Sequence, residues 1–188
     1  MTSLILIGPP GAGKGTQATL IAETFAIPHI STGAIFRANV AEGTELGVEA
    51  QKYMERGEYV PDSVTNAMVR NRLAEPDTAN GFLLDGYPRT LAQVDELDSI
   101  LADLGKQLDA VVEITADTEE VTQRLLARAA KEGRADDTED VIRRRMVVYA
   151  EQTEPIVAVY SERGLVRKVD GMGDIGEVNA RIVDALGG

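Results

Sequence analysis

Cysteine and tryptophan are both missing from the 188 residues, and aromatic side chains make up only 4% of them. Without cysteine the chain has no disulfide, no thiol nucleophile and no thiolate-bound zinc. A thiol-free chain suits a reducing compartment. With so few rings the core must rest on aliphatic packing, which a 44% hydrophobic content supplies without metal or disulfide staples. Long apolar runs are missing as well. The opening "SLILIG" is too short to span a bilayer and carries neither a basic leader nor a cleavage pattern. The expectation is therefore a soluble, cytoplasmic protein with no membrane partner. Positive charge is scarce too: 19 Lys and Arg stand against 31 Asp and Glu, a net charge of −12. That balance argues against holding nucleic acid by neutralising its phosphates. A small phosphorylated ligand needs only a local concentration of cations, so the placement of the few basic residues carries information.

Short apolar runs rich in branched residues recur along the chain, at Leu4–Ile7, Phe82–Leu84 and Ala110–Ile114, with weaker ones at Pro28–Ile30 and Leu165–Val169. Helical spacing fills the intervals; Leu91, Val94, Leu97 and Leu101 follow one another at three and four residues. Strands alternating with helices imply an α/β fold, a five-stranded parallel sheet covered on both faces. No linker separates independent domains, so residues 1–188 read as one domain. Residues 31–60 carry helical patterns, no strand and several glycines, and 129–133, "AAKEG", form a short polar break. Both read as lobes inserted on the sheet, the second spanning about 128–134.

The stretch "LILIGPPGAGKGTQ", Leu4 to Gln17, has the G-x-x-x-x-G-K spacing in a strand–loop–helix setting. Glycines let backbone N–H groups approach phosphate oxygens, the helix N-terminus adds partial positive charge, and Lys14 reaches the terminal phosphates. Where Ser or Thr usually follows the Lys and helps hold magnesium, this chain has Gly15, with Thr16 one place later.

Three apolar residues in "FLLDGYPRTLAQ", Phe82 to Gln93, deliver Asp85 to the carboxyl end of a strand, where ligands sit in open parallel sheets. An acid there can order waters around magnesium. Gly86 permits close backbone approach, Pro88 stiffens the turn, and Arg89 offers a planar fork suited to phosphate. Thr90-x-x-Gln93 also reads as a capping box, leaving Gln93 open as a cap or a ligand contact. "STGAIFR", Ser31 to Arg37, reads as a capped helix start carrying a surface Arg.

Between Glu120 and Arg145 there are seven Lys/Arg against six Asp/Glu, so this region escapes the general acidity. Asp117 to Glu120 suggests a cap for a helix running to about Ala129, with Arg124 and Arg128 on one face. In "DDTEDVIRRRMVVY" Arg145 falls within the stripe of Val141, Ile142, Val148 and Tyr149, whereas Arg143 and Arg144 lie off it. An inward Arg needs an anion, either a carboxylate or a phosphate. His29, the lone histidine, sits at the end of a short strand candidate with no obvious carboxylate partner and reads as structural.

"GPPGAGKGTQ" resembles the adenylate kinase signature, in which Gly-Lys-Gly-Thr is normal; "STGAIFR", D-G-x-P-R-x-x-x-Q at 85–93, "GRADD" with Arg145, and "KVDG" at 168–171 follow in family order. The resemblance covers nearly the whole chain. It implies a three-layer P-loop fold with a helical lobe for the nucleoside monophosphate at 31–60 and a short lid. The implied reaction is reversible phosphoryl transfer from Mg-ATP to AMP, with Mg²⁺ as cofactor and a monomeric enzyme. For ATP it implies Gly11, Ala12, Gly13, Lys14, Gly15, Thr16, Arg124, Arg128 and, near the base, Gly173. For AMP it implies Thr32, Arg37, Met54, Glu58, Tyr59, Val60, Gly86, Tyr87, Pro88, Arg89 and Gln93, with Arg134 and Arg145. Gln93 would read the adenine edge, and Arg128, Arg134 and Arg145 would converge on the transferring phosphate beside Lys14, Asp85 and Arg89. Many bacterial relatives insert a long, sometimes zinc-bound lid where this chain has "AAKEG". A short lid without structural zinc follows, with no metal held by the protein alone. A UMP/CMP kinase shares the loop and arginines but differs at the positions of Thr32 and Gln93. A GTP-dependent switch protein would carry N-K-x-D, which is missing, and a D-x-x-G switch, which "DGYP" does not supply.

Overall fold

The computed structural model describes residues 1–133 and 138–187. Five parallel strands form one sheet in the order β2-β3-β1-β4-β5: β1 Thr2–Ile7, β2 His29–Ser31, β3 Gly81–Asp85, β4 Ala110–Thr115 and β5 Val166–Asp170. All five apolar runs of the sequence are strands, shifted by one or two residues at their ends. β1 shows why the sheet has two covered faces. Leu4 and Leu6 pack on one side with Ala18 and Ile21 of α1 (Lys14–Phe25) and Val178 and Ile182 of α9 (Ile175–Ala185). Ile5 and Ile7 face the other side, against Val69 and Leu73 of α4 (Asp62–Leu73), Val94 and Leu97 of α5 (Leu91–Asp103) and Ile156 and Tyr160 of α8 (Glu154–Glu162). Side chains that alternate across a strand thus fill two cores, which is what a continuous apolar run in a central parallel strand encodes. β5 is an edge, and its exposed Arg167 and Lys168 discourage further pairing.

The stripe expected on α5 begins later than its spacing suggests. Leu91 is 49% exposed, while Val94, Leu97, Ile100 and Leu101 are buried. Leu91 is the first residue of the helix, before the axis has settled over the sheet. The helix expected to stop near Ala129, α6, runs from Thr118 to Glu132. Ala129, Ala130, Lys131 and Glu132 all favour helix, and Gly133, at φ 61°, is the first residue that ends it. The described part of the expected short lid is therefore the last turn of a helix.

Residues 32–54 form two helices, α2 (Thr32–Glu42) and α3 (Glu45–Met54), with a small core of their own. Phe36, Ala50 and Val60 are buried there, with Leu46, Tyr53, Met54, Val64 and Met68 packed around them. Gly43 at φ 67° turns the chain, and Thr44 caps α3 by accepting from the Gly47 N–H at 3.0 Å. Gly47 lets the helices touch, since a Cβ there would stand 2.1 Å from the Asn39 carbonyl oxygen. Gly47→Ala is expected to destabilise the protein by about 1–3 kcal/mol. Gly15→Ala, where a Cβ would meet nothing within 4 Å, should leave stability unchanged or slightly raised. Urea unfolding of both variants checks the pair.

Candidate functional site

β1 ends at Ile7, and the loop to α1 passes close under its neighbours. A Cβ on Gly8 would lie 2.9 Å from the Ile114 carbonyl, and one on Gly11 2.8 Å from the Val121 carbonyl of α6. Gly11 and Gly13 both hold positive φ, 83° and 84°. Gly13 occupies the cap position of α1 with no side-chain cap, so the first N–H groups of the helix face the cleft. Such a terminus attracts anions. Lys14 folds back over the loop, donating to the Gly8 carbonyl at 2.9 Å and the Pro9 carbonyl at 3.3 Å. Burial pushes its ammonium down to about 8, and Arg89, Arg145 and Arg128 push the same way against the opposing pull of Asp85. A group of phosphates entering here would meet cations already crowded together.

Asp85 closes β3 and is 7% exposed. Burial alone would raise its carboxyl. The hydrogen bond from His29 and the charges of Lys14 and Arg89 more than offset that, holding it below the usual carboxylate range. His29 was expected to lack such a partner, and here the reading is corrected: its Nε2 lies 3.1 Å from Asp85 Oδ2. The two sit on neighbouring strands, His29 beside Leu83 and Ser31 beside Asp85 in the register. Strand adjacency, not sequence proximity, makes the pair.

Two cavities open at this carboxyl edge. One is lined by Thr32, Arg37, Met54, Glu58, Tyr59, Val60, Gly86, Pro88, Arg89 and Gln93, and the other by Gly11 to Thr16, Asp85, Arg124, Arg128 and Gly173. Lys14, Arg37, Arg89 and Arg145 line both. Arg124 is paired with Glu120 one turn back on α6, at 2.6 Å. Arg145 comes from α7 (Glu139–Val148), while Arg143 and Arg144 of the same helix are exposed, as expected. Arg134 lies outside the described residues. Tyr87 stands apart from the other expected residues: its ring is 1% exposed in the core, its hydroxyl donating to Asn66 Oδ1 at 2.8 Å. Among the described residues no three His, Cys, Asp or Glu side chains gather as metal ligands, and no helix is long and apolar enough to cross a membrane.

Arg89 is held from four directions. Its Nε donates to the Gly86 carbonyl at 2.7 Å, its backbone N–H to Gln93 Oε1 at 2.6 Å, and its guanidinium lies 5.1 Å from the Tyr59 ring centroid. Its own carbonyl accepts from Thr153 Oγ1 at 2.9 Å. With that proton committed, Thr153 accepts from the Tyr59 hydroxyl at 2.6 Å. Thr153 ends a π-helical turn, Tyr149–Thr153, of the kind that interrupts helices at functional sites. Nothing in "YAEQTEP" announces that turn, so sequence reasoning missed Thr153. Thr90 does cap α5, accepting from the Gln93 N–H at 3.2 Å, yet the Gln93 side chain points elsewhere and lines the first cavity. The capping box is only half formed.

A family model described as adenylate kinase matches residues 6–165. The chain is 66% identical over 183 residues to the adenylate kinase of a Nocardioides species, covering 97% of this chain and 96% of that protein. It is 60% identical over 186 residues to the adenylate kinase of Kocuria rhizophila, covering 99% of each, and 58% identical over 183 residues to that of Thermobifida fusca, covering 97% of each.

The depressed titration of Asp85 fixes the sign of an acid effect. The unfolded carboxyl titrates near 3.9, so the Asp85 interactions contribute stability above about pH 4 and lose it as pH falls through the lower folded value. His29→Leu removes the first of the compensating interactions. Acid unfolding, followed by circular dichroism, should then begin about one pH unit higher than in the parent protein. In an Asp85→Asn background the His29 substitution should no longer move it.

Proposed function

The chain belongs to the adenylate kinase family and carries out reversible phosphoryl transfer from ATP to AMP, giving two ADP, and we propose that it does so by meeting two sets of phosphates across one shared wall of cations. The observation that carries this reading is that Lys14, Arg37, Arg89 and Arg145 line both cavities. In the phosphate-loop cavity ATP would lay its phosphates along the N–H groups of Gly11 to Thr16, with Lys14 on the terminal ones. Arg124, Arg128 and Gly173 flank the remainder of that nucleotide. In the other cavity AMP would sit with its phosphate on Arg37 and Arg89 and its base among Thr32, Met54, Val60 and Gln93. Glu58 and Tyr59 belong to the strap over it, and the Gly86–Pro88 backbone to the floor.

An AMP phosphate oxygen attacks the γ-phosphorus in line, and the bond from that phosphorus to the bridging oxygen of the departing ADP breaks. No protein nucleophile is required. Positioning lowers the barrier first. Arg128 and Arg145, joined by Arg134 in this reading, then offset charge on the transferring group. The ionised Asp85 beside Lys14 fits an ion that arrives with the nucleotide, keeping most of its ligands as water and phosphate. Magnesium bound in that way supplies charge neutralisation, and Asp85 would orient its waters. Residues 31–60 act as the AMP-binding lobe, and the segment from about 128 to 134 as a short lid. Both proposed sites lie on one chain, which supports a monomer, and the absence of cysteine supports a reducing compartment such as the cytoplasm.

Three measurements test the assignment. With Mg-ATP, AMP should be the preferred acceptor over CMP, UMP and GMP; preference for a pyrimidine would overturn the base reading, and equal ADP release without acceptor would overturn the transfer. Arg89→Ala should raise the KM for AMP by about 10²-fold while leaving ATP affinity within about twofold. Lys14→Met should lower kcat by about 10²–10³-fold. An Arg89→Ala enzyme with parental AMP kinetics would remove Arg89 from the acceptor site.

A further inference from the structure

Gln93 is 2% exposed, and both ends of its side-chain amide are already engaged. Oε1 accepts from the Arg89 backbone N–H at 2.6 Å, and Nε2 donates to Asp62 Oδ1 at 2.8 Å. Asp62 is the first residue of α4, and its two carboxylate oxygens both lie 3.4 Å from the Thr90 hydroxyl at the start of α5. The chemistry of the two partners matters more than the distances. A backbone N–H can only donate, and an ionised carboxylate can only accept. Turning the amide over would set N–H against N–H and oxygen against carboxylate, losing both bonds and leaving buried groups opposed. An amide with two such partners has one orientation.

We propose that Asp62 is a specificity-determining residue: by locking the Gln93 amide it makes the acceptor site choose a 6-aminopurine over a 6-oxopurine. This rests on the reading of Gln93 as the residue that meets the base of the acceptor nucleotide. After its two internal bonds the amide retains one N–H and one oxygen lone pair for a ligand. A 6-aminopurine presents an acceptor at N1 and a donor at its amino group. A 6-oxopurine presents the reverse, an N1–H donor and an oxygen acceptor. The two edges have the same shape and correspond to the two orientations of one amide. A freely turning amide would serve either base, whereas a locked one leaves the wrong base with two opposed polar pairs. Asp62 does not touch the nucleotide in this account; it is a positioning residue acting through Gln93.

The probe is inosine monophosphate, which has the 6-oxo edge without the extra amino group of guanine, so size does not enter. The quantity is the ratio of kcat/KM for AMP to that for inosine monophosphate, measured with saturating Mg-ATP; it is internal to each protein and independent of how much is folded. In the parent enzyme it should be about 10²-fold or more. Asp62→Leu should reduce that ratio by about tenfold or more, with part of the change a gain in inosine monophosphate use. Asp62→Asn keeps an acceptor but can also donate, and should fall between the two. KM for ATP should stay within about twofold throughout. Gln93→Leu serves as the reference and should abolish most of the discrimination. If Gln93→Leu leaves the ratio unchanged, the base reading of Gln93 fails and the lock with it. If Gln93→Leu lowers the ratio while both Asp62 variants keep the parental value, the reading of Gln93 stands and the lock is overturned. Should Asp62→Leu not fold, an unchanged ratio in Asp62→Asn overturns the lock equally.

Discussion

The rest of the site depends on one electrostatic constraint: several cations share a small, partly desolvated space at the carboxyl edge of the sheet. Lys14 feels it most, its ammonium pushed down to about 8 by burial and by three arginines. Such crowding is unfavourable until an anion arrives, and it stands out in a chain whose net charge is −12. Asp85 is the counterweight. Its carboxylate, kept ionised by His29, Lys14 and Arg89, ties the phosphate loop to β3 and β2. Asp85 and the sheet geometry that places it offset part of the cost of assembling the cations, and bound phosphates would relieve the rest.

The proposed acceptor side adds a second layer of control, because an arginine meant to grip phosphate must not wander. Arg89 is restrained through its Nε, its backbone N–H, its carbonyl and its ring contact with Tyr59. Those restraints come from distant parts of the chain. Gln93 lies on α5 and is itself fixed by Asp62 of α4, while Thr153 lies on a π-helical turn that follows the helix of Arg145. Preorganisation of this kind places the charge before the reaction rather than during it. It also joins the small helical lobe, through Tyr59, to the same network.

How much of this could be read from the sequence varied with the range of the interaction. The five strands were legible because each is a run of apolar residues bounded by loop residues, and burial on both faces of a parallel sheet demands such runs. The phosphate loop was legible because its glycines, Lys14 and the helix that follows are contiguous. Arg145 could be separated from Arg143 and Arg144 by helical period alone. The end of α6 was misjudged because "AAKE" is polar on average yet favours helix, so only Gly133 could stop it. His29 was set aside because its partner lies 56 residues away on the adjacent strand.

By itself the amino-acid sequence determined the fold class and the strand–loop–helix of the phosphate loop, and supplied the residues proposed for phosphate, since each is written in local spacing and residue chemistry. Tertiary structure alone decided which of those residues face one another. The strand order brings β2 beside β3, the crossing of α4 and α5 sets Asp62 against Gln93, and a π turn carries Thr153 to the Arg89 carbonyl 64 residues back. Periodicity tells a side chain which face of its own element it occupies. It does not tell which neighbour waits there, because that depends on how separate elements pack, and packing is a property of the whole chain.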